Sequence, residues 1–328
     1  MGIKYLHNII KTKCANSIQS ISLKELYNKT IIIDISIYIF KFAYDGNLID
    51  NFYILFTLLK RYDIRPIFVF DGKPPTEKKS LLIERKIVRL QNENELNDLE
   101  YKLLECNNDK EKKVLVSQIE QLKKKIVNIT VNDFDRVKEL IDAFGFEYIN
   151  ADGEADEVCA YYVVNNKAWA CLSDDTDMFL YGCTRVLRQL NLLDESVLLY
   201  IHSEILNELD LSQEEFNELC IHSGTDYNIN KGDKNILNTL FYQYKNFKQE
   251  RLYNNISLWI NENKHLISTD KMEKIDYDKI NDIKNMFNLN DKNNLQKYDS
   301  MNLPNNKRVS MDIEKIKLIL RNNGFVLI

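Results

Sequence analysis

Two short apolar runs, TIIID at residues 30–34 and RPIFVFD at 65–71, each end in an aspartate, and this feature constrains the fold most. Runs of this length without polar alternation read as strands buried on both faces, the pattern of a parallel sheet covered by helices. SIYIFKFAY (36–44) and FYILFTLLKRYD (52–63) lie between them and fit helices. Further strands fit WACLSD (169–174), TRVLRQL (184–190) and SVLLY (196–200). The fold class is therefore α/β.

The chain has 328 residues, roughly two domains' worth at about 150 residues each. With 45% apolar and 28% charged residues it can bury a core without disulfides or a structural metal. The formal net charge of -5 argues against a protein that coats polyanions through bulk positive charge, and leaves room for local basic patches. Cys14, Cys106, Cys159, Cys171, Cys183 and Cys220 form no CxxC pair and read as reduced thiols. The opening MGIKYLHNII is cut short by Lys11 and Lys13, so no signal peptide is expected, and no apolar run is long enough for a membrane span.

Residues 76–126 differ from their surroundings. They contain no strand-like run and are rich in Lys, Arg and Glu. Leu96, Leu99 and Leu103, then Leu115, Ile119, Leu122 and Ile126, recur at helical spacing on either side of a turn-forming NND at 107–109. This predicts two helices folded back on each other along a narrow apolar seam. Lys78, Lys79, Arg85, Lys86 and Arg89 near its start favour contact with a polyanion over a merely solvated face. Beyond residue 203 the chain reads as helical, with a capping box at Ser212 and Glu215 and a last helix over 312–325. Residues 268–310 are rich in Asn, Asp and Lys and only weakly patterned.

The chemistry lies in acids at the ends of apolar segments: Asp34, Asp71, Glu154, Asp156, Asp174, Asp175, Asp177 and Asp226. Strand C-termini of an open α/β sheet converge on one crevice, so these segments can meet there. Two carboxylates about 4 Å apart repel by several kcal/mol even at an effective dielectric near 20. Few basic side chains lie near them in sequence, so the economical compensation is Mg²⁺ or Mn²⁺, which take oxygen ligands. Two such ions suit phosphodiester cleavage. No GxGxxG or GxxxxGK[ST] follows the first strand, which disfavours a dehydrogenase or a P-loop kinase.

In order, MGIKYL, IIIDISIYIF (31–40), VFDGKPPTEKK (69–79), DGEADEVCAYY (152–162), LSDDTDMFLYG (172–182) and ELDLSQEEFNELCIHSGTDY (208–227) resemble the XPG-type family of structure-specific 5′ nucleases, in its flap endonuclease branch. The resemblance covers roughly residues 1–260. It implies a PIN-like α/β core with a mostly parallel twisted sheet, a helical arch insertion and a C-terminal helix–two-turn–helix region. The implied division is a nuclease N-terminal region at 1–90, the arch at 76–130, an internal nuclease region at 131–225, a duplex-binding region at 226–265, and a segment of unassigned role at 266–328.

The resemblance also implies seven carboxylates holding two divalent ions. One would be held by Asp34, Asp71, Glu154 and Asp156, the other by Asp156, Asp175, Asp177 and Asp226, with Asp156 as the bridge. Lys78 and Arg85 match the pair at the base of the arch that draws in the scissile phosphate; their spacing of seven sets them on one helix face. Phe40 matches an aromatic that stacks near the base at the cleavage site, and Gly2 a buried N-terminus beside the DNA junction. Lys79, Lys86 and Arg89 would add DNA contacts, as would Gly232 and Lys234 in NINKGDKNILNTL (228–240).

Three departures stand out. Asp156 replaces the usual Glu, and Glu157 is an extra acid. The Gly-hydrophobe-Gly that carries a K⁺ site is absent around Gly232, which removes the basis for expecting one. No QxxLxxFF-type box ends the chain, so docking on a sliding clamp is not expected. The expected partner is branched or nicked double-stranded DNA with a 5′ single-stranded end, bound by a monomer. The AT-biased composition is similar to that of viral or divergent protist versions, which implies a viral replication factory in the host cytoplasm or a nucleus. Alternatives left open are a 5′→3′ exonuclease, a junction or bubble endonuclease of the same family, and a catalytically silent scaffold for branched DNA.

Overall fold

The computed structural model describes residues 2–106, 108–126, 129–227, 236–250, 256–263, 277–289 and 310–325. Strands β1 (Ile18–Ser22), β2 (Thr30–Asp34), β3 (Arg65–Phe70), β4 (Glu147–Asn150), β5 (Ala170–Leu172), β6 (Arg185–Asn191) and β7 (Ser196–Ile201) form one sheet in the order β1-β7-β6-β5-β2-β3-β4. The helices are α1 (Leu6–Lys13), α2 (Ile35–Tyr44), α3 (Leu48–Arg61), α4 (Lys79–Glu105), α5 (Asp109–Lys125), α6 (Val131–Ala143), α7 (Ala155–Val164), α8 (Asp177–Leu180), α9 (His202–Leu209), α10 (Gln213–Ser223), α11 (Ile236–Glu250), α12 (Ile256–Glu262), α13 (Tyr277–Met286) and α14 (Ile313–Asn322).

The central strands pair in parallel, β6 with β5, β5 with β2, β2 with β3 and β3 with β4. Their apolar runs are explained by two covered faces. Ile32 and Val69 point into the layer with α1, α7 and α10, while Ile31, Ile33, Phe68 and Phe70 point into the layer with α2, α3 and α6. Successive strand side chains alternate between faces, so an uninterrupted apolar run serves both layers. Each such side chain contributes roughly 1.5–3 kcal/mol when fully buried. Parallel pairing of β6, β5, β2, β3 and β4 aims the C-termini of these five strands at the same rim.

The order of strands sets where on that rim a site can form. From β2 the chain steps outward to β3 and β4, then returns to place β5 on the opposite side of β2. This reversal is a topological switch point, where a crevice opens outside the strand ends. Asp34 ends β2, and the loop after β5 begins beside it.

The sheet is mostly parallel, as expected, with one antiparallel margin: β7 runs antiparallel to both β6 and β1. The expected strand over 169–174 also stops early, at Leu172, because Ser173 turns to accept the Asp175 N–H through Oγ at 3.1 Å. The helix pair α4 and α5 meets through half-buried Leu96, Leu99 and Leu103 and buried Ile119 and Leu122, with Lys123 paired to Glu100 at 2.8 Å. Helix α4 buries no residue completely, as befits an element projecting from the core. The last helix, α14, returns to that core: Asp312 N–H donates to the Ala143 carbonyl at 2.8 Å, and Ile316, Ile319 and Leu320 are buried. Among the described residues no helix is long and apolar enough to cross a membrane.

Candidate active site

Asp34 is buried at the end of β2, and Ser173 Oγ donates to its Oδ2 at 3.4 Å. Asp71 follows β3, where Gly72 permits a very close approach of two chain segments. Gly72 N–H donates to the Gly153 carbonyl at 2.7 Å, and a Cβ at Gly72 would lie 2.1 Å from the Ala151 carbonyl oxygen. This draws Asp71 onto the start of α7, where the Ala155 N–H donates to Asp71 Oδ1 at 2.8 Å. Glu154 is the N-cap residue of α7, and Asp156 lies in its first turn. Negative charge is favoured at a helix N-terminus, so the backbone itself compensates part of this cluster.

Asp175 and Asp177 are buried in the loop after β5, with the Asp177 N–H donating to Asp175 Oδ1 at 3.0 Å. Gly2 is packed onto that loop with φ +76°; a Cβ there would lie 2.2 Å from Asp175 Oδ1 and 2.5 Å from Asp177 Oδ1. The next N–H, of Ile3, donates to Thr176 Oγ1 at 2.8 Å. The N-terminal segment thus forms one wall of the crevice.

Asp226, just beyond α10, meets the two expected cations. Lys78 Nζ is 2.6 Å from Glu154 Oε1 and 3.9 Å from Asp226 Oδ2, and Arg85 Nη2 is 3.3 Å from Asp226 Oδ2. Lys78 sits in the turn that leads into α4 and Arg85 in that helix's second turn, so the base of the helix pair faces the acids.

Crowding of like charge sets the electrostatics. Asp34 is pushed up to about 8 by burial and by the charges of Asp71 and Asp175. Burial, with Asp175, Asp34 and Asp177, holds Asp156 well above the carboxylate range, against the pull of Lys78. Asp177 is raised by burial and by Asp175 and Asp226. Burial alone would lower Lys78, but Glu154 outweighs it and the ammonium is stabilised. These acids are costly as anions without further positive charge.

Two oxygens make the same point geometrically. Asp34 Oδ1 and Asp177 Oδ1 are buried and accept no hydrogen bond. The donor set is wholly oxygen, which suits Mg²⁺ or Mn²⁺ rather than a soft metal. Among the described residues no three Asp, Glu, His or Cys side chains already close around one ion position; the acids line the crevice instead. Donor chemistry and orphaned oxygens therefore fit a hard divalent cation.

Of the expected DNA contacts, Phe40 is 56% exposed on α2, which removes core packing as its explanation. Lys79 and Lys86 are exposed, and Arg89 pairs with Glu93 at 2.9 Å along α4 itself. Gly232 and Lys234, and the turn in which a K⁺ site was not expected, lie outside the described residues. Asp174, next to the acidic pair, instead accepts the Gln189 N–H at 2.7 Å and pairs with Lys41 at 3.8 Å. The sequence reading missed Tyr227, whose hydroxyl donates to Glu154 Oε2 at 2.6 Å. No spacing rule links positions 154 and 227; only the adjacency of Asp226 hinted at it.

Family models for the XPG N-terminal domain and the XPG I-region match residues 1–92 and 145–226, the two stretches that supply these acids. A flap endonuclease 1 from Methanococcus aeolicus is 30% identical over 246 residues, covering 70% of each chain. The chain belongs to the XPG/flap endonuclease family. Flap endonuclease 1 from Lodderomyces elongisporus is 27% identical over 247 residues, 69% of this chain and 61% of the relative, so the match spans about three fifths of that relative's length. Among solved structures, the catalytic core of Rad2 in complex with DNA substrate superposes with a TM-score of 0.60 at 22% identity, covering 98% of this chain and 95% of that one. The Holliday junction-resolving enzyme GEN1, in complex with product DNA and Mg²⁺, gives a TM-score of 0.59 at 18% identity, covering 97% and 72%. At these identities the two structures speak to the XPG-family fold alone.

Proposed function

We propose that this XPG-family chain is a divalent-metal-dependent 5′ nuclease that hydrolyses DNA phosphodiesters at flaps, nicks or gaps. The observation that carries the reading is the meeting of acids from β2, β3, α7 and the β5 loop with Lys78 and Arg85 at one crevice. Asp34, Asp71, Glu154 and Asp156 would hold one ion, and Asp156, Asp175, Asp177 and Asp226 the other. Divalent ions supply a nucleophile at neutral pH and offset charge that builds on the phosphate.

The chain's own residues do the rest. Lys78 and Arg85, presented from the start of the helix pair, attract the scissile phosphate and stabilise its developing charge. Phe40 offers an exposed ring on which a base can stack once it leaves its neighbour. Gly2 keeps the N-terminal wall close without filling the space above Asp175 and Asp177. The substrate in this reading is duplex DNA bearing a 5′ single-stranded end, bound by one copy of the chain. Phosphate contacts dominate such binding, so affinity should fall steeply with salt.

The test is cleavage of a duplex carrying a labelled 5′ flap, with Mg²⁺, Mn²⁺ or EDTA. One long fragment released at the junction supports the flap reading. Stepwise mononucleotide release moves the reading to an exonuclease, and tight branched-DNA binding with no metal-dependent product would replace it with a scaffold.

A further inference from the structure

Tyr227 directly follows Asp226 and is buried beneath the crevice, yet it carries no charge and does not belong to the acidic set. It touches the site twice. Its hydroxyl donates to Glu154 Oε2 at 2.6 Å, and its ring lies under the Lys78 ammonium, with Nζ 5.0 Å from the ring centroid. Glu154 is therefore held at both oxygens, by Tyr227 at Oε2 and by Lys78 at Oε1.

The tyrosine is itself fixed. Its N–H donates to Thr225 Oγ1 at 3.1 Å, and its ring meets Phe287, just beyond α13, edge-on at 5.7 Å. Phe287 in turn packs against Tyr181 at 5.0 Å. The weakly patterned C-terminal stretch thus supplies the back wall of this ring.

We propose that Tyr227 is a positioning residue that sets Glu154 and Lys78 separately, the carboxylate through its hydroxyl and the ammonium through its ring face. The inference rests on the proposed nuclease reading, in which Glu154 is an ion ligand and Lys78 meets the phosphate. Hydrogen-bonding partners of a ligand orient it, and their loss typically costs about 10–100-fold in metal affinity. A ring face under an ammonium already paired with a carboxylate is a weaker hold, and its loss should cost about threefold to tenfold.

The two contacts can be removed one at a time. Tyr227→Phe deletes the hydroxyl and keeps the ring; Tyr227→Leu deletes both. Mn²⁺ affinity is read by electron paramagnetic resonance, and flap-DNA affinity in Ca²⁺, alongside a thermal melt. Tyr227→Phe should weaken Mn²⁺ binding about tenfold or more, with DNA affinity and melting temperature little changed. Tyr227→Leu should lose Mn²⁺ affinity as far and also weaken DNA binding about threefold to tenfold. A folded Tyr227→Phe that binds Mn²⁺ like the wild type overturns the proposal, as does equal loss of DNA affinity in both variants. Should Tyr227→Leu not fold, the Tyr227→Phe result decides alone. A wild-type chain that binds no Mn²⁺ contradicts the nuclease reading itself, a different failure from the one the variants probe.

Discussion

Asp71 Oδ1 accepts the backbone N–H of Ala155 at 2.8 Å, so the exit of β3 is tied to the first turn of α7. That bond joins two acidic segments that are far apart in sequence. It requires the close approach at Gly72, where any side chain would meet the Ala151 carbonyl. The crevice is thus built by backbone contacts as much as by the carboxylates.

Gly2→Ala should damage activity far more than stability. A left-handed backbone costs a residue with a Cβ roughly 1–2 kcal/mol, and here the Cβ would also press on Asp175 and Asp177. Gly46→Ala is the control, since Gly46 has φ +76° too but nothing within 4 Å of its Cβ position. Flap cleavage should fall at least tenfold for Gly2→Ala and stay near wild type for Gly46→Ala, with both melting temperatures lowered by a few degrees. Equal activities would contradict the packing described for Gly2.

Asp177→Asn should raise stability in EDTA while removing cleavage. Burial, Asp175 and Asp226 disfavour the Asp177 carboxylate, and the neutral amide relieves that repulsion. A gain of about 1–3 kcal/mol in chemical denaturation is expected. A variant less stable than wild type under the same conditions would mean that the acids are already compensated.

Two buried histidines predict acid sensitivity. Burial, and secondarily Lys284, lowers His222 from 6.5 to about 4, and burial also lowers His202. Both stay neutral in the fold while the unfolded chain takes up protons near pH 6.5, so their own contribution to stability rises with pH across this range, opposite in sign to that of the raised Asp34, Asp156 and Asp177. The contribution is complete above about pH 6.5 and is lost as pH falls towards 4. The His222 shift corresponds to about 3 kcal/mol. The measurement is the difference in unfolding free energy between wild type and His222→Gln from pH 7 to 4, in which the acids cancel: the variant should gain on the wild type as pH falls. An unchanged difference would place the protons elsewhere.

Leu122→Ala should loosen the helix pair without unfolding the core. Leu122 is buried in the seam between α4 and α5, away from the sheet. Truncating a buried leucine costs about 2–5 kcal/mol, and here the loss should be local. Hydrogen exchange should accelerate over 91–126 and stay unchanged over β2 and β3, with flap cleavage reduced because Lys78 and Arg85 lead into that pair. Uniform acceleration across the sheet would show that the pair and the core unfold together.

The parts legible in the sequence are those where one physical demand acts alone. Strands β2 and β3 are buried on both faces, and β2 ends in an acid while one directly follows β3, so apolar run and candidate site coincide at Asp34 and Asp71. The seam of Leu96, Leu99, Leu103, Ile119 and Leu122 was readable because a helix pair off the core has only one face to bury. Strands β1 and β4 were not readable. IQSIS and EYIN lie at the sheet's two margins, show little burial and lack an apolar run. The antiparallel placing of β7 was hidden for a related reason: pairing direction leaves no mark on a strand of six residues. Tyr227 escaped because its role depends on Glu154 and Lys78, which only the fold brings to it.

The most direct measurement is a cleavage time course on a duplex with a labelled 5′ flap, comparing wild type with Asp177→Ala in Mg²⁺ and in EDTA. The account predicts one junction-length product from the wild type in Mg²⁺, none in EDTA, and none from Asp177→Ala, although that variant still binds the flap. Junction cleavage that persists in EDTA, or in a clean preparation of Asp177→Ala, would contradict it.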